Sequence, residues 1–150
     1  MTMIHPYVWG FSGQSHVTEY PRAWYGLRQE LVATHSKVVV LPWQLYSAHT
    51  LTDKTTANPA IAFFQPYALA SNLMALPGVA ETEFGCRPDI HAAITKKDRH
   101  LFTKVATSCG ATHVIITERG QNDDYAWLIP PQDDSSAYSE KTMIIRLDRV

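Results

Sequence analysis

An α/β fold, with one small, largely parallel or mixed sheet flanked by helices, is what this sequence predicts, and three observations predict it. Val38-Val39-Val40-Leu41 is an unbroken run of apolar, mostly β-branched residues, the pattern of a strand covered on both faces. Leu101, Phe102, Val105, Ala106 and Cys109 fall on one helical stripe, Gly110 follows as a left-handed stop, and His113-Val114-Ile115-Ile116-Thr117 then reads as a strand. Strands that alternate with helices make a layered α/β sheet, and 150 residues suit one domain spanning 1–150.

Taken in order, His5 to Tyr20 mixes aromatics with Gly10 and Gly13 and reads as an irregular lead-in packed by Tyr7, Trp9 and Phe11. A helix starts near Pro21, a residue suited to a first turn because its missing N–H would have no helical partner there. Trp24, Leu27, Leu31 and Val32 give that helix an apolar face, and it ends before Ser36-Lys37. Pro42 stops the strand that follows. Trp43 to Ala60 is loop-like, and Ile61-Ala62-Phe63-Phe64 is expected as a further strand. Beyond Pro77-Gly78, Asp89 is placed to cap one helix, and Asp98 a second if the chain breaks there. Tyr125 to Ile129 is expected as a short extended segment within a polar, turn-rich stretch. The chain closes on a strand within Thr142 to Val150, where alternation after Ile145 gives one wetter face.

Thirteen Lys and Arg stand against fourteen Asp and Glu, for a net charge of −1, and the basic residues are scattered. Nucleic acid is therefore not an expected partner, because a phosphate backbone calls for a concentrated basic surface. No apolar window reaches the length of a membrane span, and the segment Met1 to Pro6 has neither the charged nor the apolar region of a signal peptide. Those features alone lead to a cytoplasmic expectation.

The residues offer little self-sufficient chemistry. His5, His16, His35, His49, His91, His100 and His113 include no pair spaced to put two imidazoles on one metal ion, so no metal site is expected. Ser12, in Gly10-Phe11-Ser12-Gly13, lacks the spacing and the strand-to-helix setting of a nucleophile elbow. No glycine-rich phosphate loop follows any strand, which removes the expectation of a nucleotide cofactor, and no catalytic residue is assigned. Cys86 and Cys109, the two cysteines, fit neither a redox CxxC nor a zinc set. Two readings stay open for them, buried free thiols or a disulfide, and the redox compartment decides between them.

The strongest site argument is topological. Ligands of open α/β sheets sit beyond the carboxyl ends of the strands, where connecting loops diverge. Trp43, Gln44 and Tyr46 follow the first strand, with Asn58 later in the same connection. Glu118 and Arg119, then Asn122 and Asp123, follow the strand that ends at Thr117. An aromatic ring beside amides and carboxylates can hold a sugar, the ring covering its apolar face and the polar groups its hydroxyls. The competing reading of the same residues is a tryptophan in the core and a solvated turn.

Several segments carry a family resemblance. Trp9-Gly10-Phe11-Ser12-Gly13-Gln14, Tyr20-Pro21-Arg22-Ala23-Trp24-Tyr25, Val39-Val40-Leu41-Pro42-Trp43-Gln44-Leu45-Tyr46, Ala57-Asn58-Pro59-Ala60, Phe63-Phe64 and the unit Cys109 to Ile116 together resemble the soluble C-terminal region of large polytopic bacterial membrane proteins. Those proteins, often actinobacterial, are similar to GT-C-type glycosyltransferases or are simply uncharacterised membrane proteins. The resemblance implies an extracytoplasmic, non-catalytic domain that binds a glycan, positions an acceptor or braces its parent protein. A transmembrane part of a parent protein or a membrane partner would then be its neighbour, and carbohydrate a ligand. The acids presumed catalytic in such proteins lie in membrane loops this chain does not contain, so no catalytic residue is carried over. An extracytoplasmic setting would favour a Cys86–Cys109 bridge, whereas a free-standing cytoplasmic relative would keep both thiols reduced. Two alternatives remain beside this reading: a free-standing small enzyme using acid–base residues such as Glu118 and Asp123, and a structural interaction module whose aromatics form an interface.

Overall fold

The computed structural model describes residues 20–44, 46–49, 54–72, 85–117, 122–129 and 142–149, with only the backbone described at 46–49, 54–57, 122–123 and 149. The expected lead-in with Tyr7, Trp9 and Phe11, and Ser12 within it, lie outside the described residues.

Helix α1 (Arg22–Thr34) begins after Pro21, which stands at the N-cap rather than in the first turn, and it closes on His35 in the left-handed conformation at φ 53. Trp24, Leu27 and Leu31, spaced i, i+3 and i+7, are buried. Val32 departs from the expected stripe. It lies 47% exposed beside the outer side of the helix, seven residues from the equally exposed Tyr25, since two helical turns return nearly to one azimuth.

Strand β1 (Lys37–Leu41) is buried from Val38 to Leu41 and leads into a cis Leu41–Pro42 peptide. The stretch expected as loop contains an antiparallel hairpin, β2 (Tyr46–His49) with β3 (Lys54–Ala57), in which Tyr46 pairs with Ala57. The expected strand at Ile61 to Phe64 is instead helix α2 (Pro59–Phe64). Its start is chemically specified: Asn58 at the N-cap accepts the Ala60 amide at 3.0 Å, and Pro59 supplies a preset φ at the first helical position. With that start fixed, Ala60, Phe63 and Phe64 fall on one side and are buried, a spacing of three and four rather than two.

A two-residue strand, β4 (Ala68–Leu69), follows, then helices α3 (Arg87–Lys96) and α4 (Arg99–Ser108). The chain breaks between them at Lys97, left-handed at φ 51, and Asp98 caps α4 by accepting the Leu101 amide at 2.9 Å. Asp89 is not the cap expected of it. Cys86 holds the N-cap of α3, and Asp89 lies in the first turn, where a carboxylate favours the positive end of the helix. Gly110 then turns left-handed at φ 83 into β5 (Ala111–Ile116).

Beyond β5 the expected extended segment is helical: α5 (Asn122–Tyr125) runs into a 3₁₀ turn at Ala126–Leu128. Tyr125 and Leu128, three apart, both point inward, and the Trp127 indole donates to the Asp124 carbonyl at 2.9 Å while its ring meets Phe102 edge-on. The last strand, β6 (Met143–Arg146), buries Met143 and Ile145 and exposes Arg146, as alternation predicts, but it gives way to a 3₁₀ turn at Leu147–Arg149.

The four-stranded sheet has the order β4-β1-β5-β6, with β4, β1 and β5 parallel and β6 antiparallel. It is the mixed, largely parallel sheet the sequence predicts. One face packs Val38, Val40 and Ile115 under α1 and α2, in a group rich in aromatic rings: Trp24, Phe63 and Phe64. The other face packs Val39, Leu41, Val114 and Ile116 against α3, α4 and the segment at Tyr125 to Leu128. The core is thus divided between two layers, and in each the full burial of a side chain such as Phe102 or Leu31 contributes about 1.5–3 kcal/mol. Among the described residues no helix is long and apolar enough to cross a membrane.

Candidate functional site

Because β1 and β5 are adjacent and parallel, their carboxyl ends lie side by side, and the connections after them lead to helices on opposite faces of the sheet. From β1 the chain proceeds through the hairpin to α2, on the α1 face of the sheet. From β5 it proceeds to Tyr125 and Leu128, on the α4 face. Adjacent parallel strands whose outgoing connections part to opposite faces leave a crevice between them, the usual ligand position in open α/β sheets.

A closed set of neutral hydrogen bonds braces the floor of this crevice. The Thr117 amide and hydroxyl both donate to the Leu41 carbonyl, at 3.0 and 3.1 Å. The Asn58 amide group donates to the Thr117 hydroxyl at 3.1 Å, while its Oδ1 caps α2. Asn58 and Thr117 are 1% and 0% exposed, and each polar atom in this chain has its partner. The Trp43 amide donates to the Tyr125 hydroxyl at 3.3 Å and so ties the β1 exit to the β5 exit.

The residues expected to bind a ligand are thus distributed unequally. Trp43 is 7% exposed and packs with Leu41 and Tyr125, so it does not present the open ring expected of a sugar platform. One tie is local and one is long-range: the Gln44 amide bonds back to the Pro42 carbonyl at 2.8 Å, and the bond to Tyr125 holds the Trp43 backbone against the core. Gln44 is exposed at the crevice mouth. Asn58 reaches the site but spends its polar atoms on the fold. Tyr46 is placed by its backbone at the start of β2, with its side chain outside the described set, and Glu118 and Arg119 lie outside the described residues altogether. Thr117 and Tyr125, which the sequence did not single out, hold the two exits together. The signal for Thr117 was present as a lone hydroxyl ending an apolar strand, whereas nothing local marks Tyr125.

The opposite end of the same strands carries different chemistry. Lys37 pairs with Ala111 and Val38 with His113, leaving Thr112 as an extra residue, a bulge that turns its hydroxyl toward its neighbours. The Thr112 hydroxyl donates to Ser36 Oγ at 3.0 Å and lies 2.9 Å from His113 Nδ1. Ser36 and Thr34 hydroxyls are 2.7 Å apart, and Thr34 donates to the Glu30 carbonyl at 2.8 Å. With one proton per hydroxyl, the bonds run in one direction only: His113 Nδ1–H to Thr112, to Ser36, to Thr34, to the carbonyl. That direction places a proton on Nδ1, and the other ring nitrogen, Nε2, lies 3.9 Å from Glu30 Oε1. Burial holds the His113 pKa below the ordinary 6.5. Glu30 opposes that shift, Arg146 reinforces it, and Asp148 opposes it.

Cys86 and Cys109, far apart in sequence, meet at this end because the α3–α4 hairpin folds the N-cap of one helix onto the C-cap of the other. Both are free thiols. Burial, then the hydrogen bond and charge of Cys86, push the Cys109 thiol up to about 11. Among the described residues no group of three or more His, Cys, Asp or Glu side chains is arranged to hold a metal ion. No protein-family model matches the chain, and no curated protein and no solved structure matches it.

Proposed function

We propose that this domain is a non-catalytic recognition domain that holds a small polar ligand, a glycan or a glycan acceptor, in the crevice between the carboxyl ends of β1 and β5. The observation that carries this reading is the parting of the two connections to opposite faces above a rigid, fully hydrogen-bonded floor. A floor with no unmet polar atom costs nothing to leave empty and positions the loops above it for a ligand. In this reading Gln44 contributes an amide to the ligand, Trp43 and Asn58 fix the segment that bears it, and Tyr46, at the start of β2, together with Glu118 and Arg119, which follow Thr117 in sequence, would complete the site. The extracytoplasmic, membrane-associated role is part of the same proposal and rests on the family resemblance; any membrane contact then belongs to a transmembrane part or partner.

The test is a binding screen of the purified protein against oligosaccharides and polyprenyl-phosphate sugars, repeated with Gln44→Ala, an exposed position whose replacement leaves the core intact. Saturable binding weakened in the folded variant supports the reading; binding to nothing in the screen refutes it, and turnover of a glycoside would replace it with the small-enzyme reading. The interaction-module reading draws on one observation. Tyr25 and Val32, 52% and 47% exposed, flank an apolar groove of about 450 Å³ on α1 with Arg28 and Gln29. Sedimentation that shows a monomer at all concentrations would remove self-association from that reading.

A further inference from the structure

The outer side of α4 carries a second cleft, unrelated to the crevice, and we propose that it is an anion site that takes a phosphate group. The cleft has a volume of about 590 Å³ and is lined, among the described residues, by Arg99, His100, Thr103 and Lys104. These positions form two i, i+4 pairs, Arg99 with Thr103 and His100 with Lys104, which places all four side chains on one patch of a single helix. No described carboxylate lines the patch. The nearest acid in sequence, Asp98, is already engaged, since its Oδ1 accepts the Leu101 amide at 2.9 Å.

Two polar atoms of the residues that line the cleft are buried without any hydrogen-bond partner: Arg99 Nε and Thr103 Oγ1. Both can donate, and a guanidinium N–H taken from water without an acceptor is among the costlier groups to leave unmatched. The remaining groups also donate: the Lys104 ammonium and an imidazole N–H of His100. A donor-rich set with two fixed positive charges matches a ligand made of acceptor oxygens, and the planar guanidinium fork matches two oxygens of one phosphate. A phosphate has acceptor oxygens for all of these donors. The phosphate could arrive free, as a soluble monoester, or as a lipid headgroup, and the chemistry at the cleft is the same for each.

The test is a ¹H–¹⁵N NMR titration of the full chain with inorganic phosphate at constant ionic strength, following the Arg99 Nε–H resonance and the backbone amides of α4. Saturating shifts confined to that patch are expected, with binding weakened about tenfold in Arg99→Lys, which keeps the charge and removes the fork. Lys104→Gln, at an exposed position that leaves the fold undisturbed, is expected to weaken binding severalfold and keeps the test decisive if the Arg99 variant misfolds. A parallel arm measures cosedimentation with phosphatidylcholine vesicles with and without phosphatidic acid. Phosphate saturation without vesicle binding assigns a soluble ligand; vesicle binding that requires phosphatidic acid and is competed by phosphate assigns a headgroup. Shifts that chloride reproduces, or unchanged affinity in both variants, overturn the proposal.

Discussion

The two ends of β5 face α1 and α2 through the same row of side chains, His113, Ile115 and Thr117, and yet they solve the burial of a polar group in opposite ways. At the carboxyl end, Thr117 is held between the Asn58 amide and the Leu41 carbonyl, with no ionisable group in the chain of bonds. At the amino end, His113 feeds a line of hydroxyls while Glu30 and Arg146 stand beside its ring, and the thiols of Cys86 and Cys109 meet at the same end of the sheet. A neutral network is worth the same at any pH, whereas a network with an imidazole at its head is tied to proton concentration. The carboxyl end therefore behaves as a fixed frame for the loops above it, and the amino end as the part of the fold that registers pH.

Asn58→Ala tests the frame hardest. It removes the cap of α2 and the donor to Thr117 together, and the loss is expected at about 2–4 kcal/mol of unfolding free energy in urea denaturation. Thr117→Val, nearly isosteric, deletes only the hydroxyl and strands the Asn58 donor, for an expected loss of about 1–3 kcal/mol. In both variants the loss should be equal at pH 5 and pH 8, at the level of about 0.5 kcal/mol. A loss that grows in acid would mean the two ends are coupled and would break the comparison.

How much of this was legible in the sequence follows from where each interaction is encoded. The branched run of β1, the stripe of α4 with Gly110 after it, and the Asp98 cap are local patterns and are read directly. Ile61 to Phe64 reads as a strand because a short apolar run fits strand or helix equally, and the deciding information, Asn58-Pro59, lies just upstream as a cap and a first-turn proline. The crevice was legible as a place, since it follows from strands and their direction. Its occupants were not: Trp43 turns inward because of Tyr125, a residue far along the chain, and no spacing rule announces that bond. The His113 network was hidden for a similar reason, as it depends on a bulge that only the pairing of β1 with β5 reveals.

At the amino end the expected effect is a pH slope. The folded protein holds His113 with a pKa lowered from 6.5, so as pH falls below that value the unfolded chain takes up a proton before the folded one does. Stability is thus complete above pH 6.5 and declines as pH falls toward the lowered value, with a slope of at most one proton. His113→Gln should flatten this component in a series of urea titrations from neutral pH into mild acid; an unchanged slope would assign it elsewhere. Cys109 acts in the alkaline range with the opposite sign. Its thiol, ordinarily near 9.0, is pushed up to about 11, so the unfolded chain ionises first and stability falls as pH rises between those values. Cys109→Ser should reduce that fall, and the reactivity of the wild-type thiol toward iodoacetamide should trail that of an unfolded control throughout the same range.

The smallest effect separates the charges around His113 from one another. Glu30 and Arg146 are about half exposed, 3.7 Å apart, and a pair of that kind contributes at most about 1 kcal/mol, so neither Glu30→Gln nor Arg146→Gln should change stability at pH 8 by more than that. Their influence on the imidazole has opposite signs. Glu30 raises the His113 pKa and Arg146 lowers it, so Glu30→Gln should move the midpoint of the acid decline to lower pH and Arg146→Gln to higher pH. NMR titration of the His113 ring reads this directly, and added salt should shrink both displacements because the charges are in contact with solvent. If both variants shifted the ring in the same direction, its charge would be governed by a change in burial rather than by its neighbours, and the amino end would be a packing defect rather than an electrostatic one.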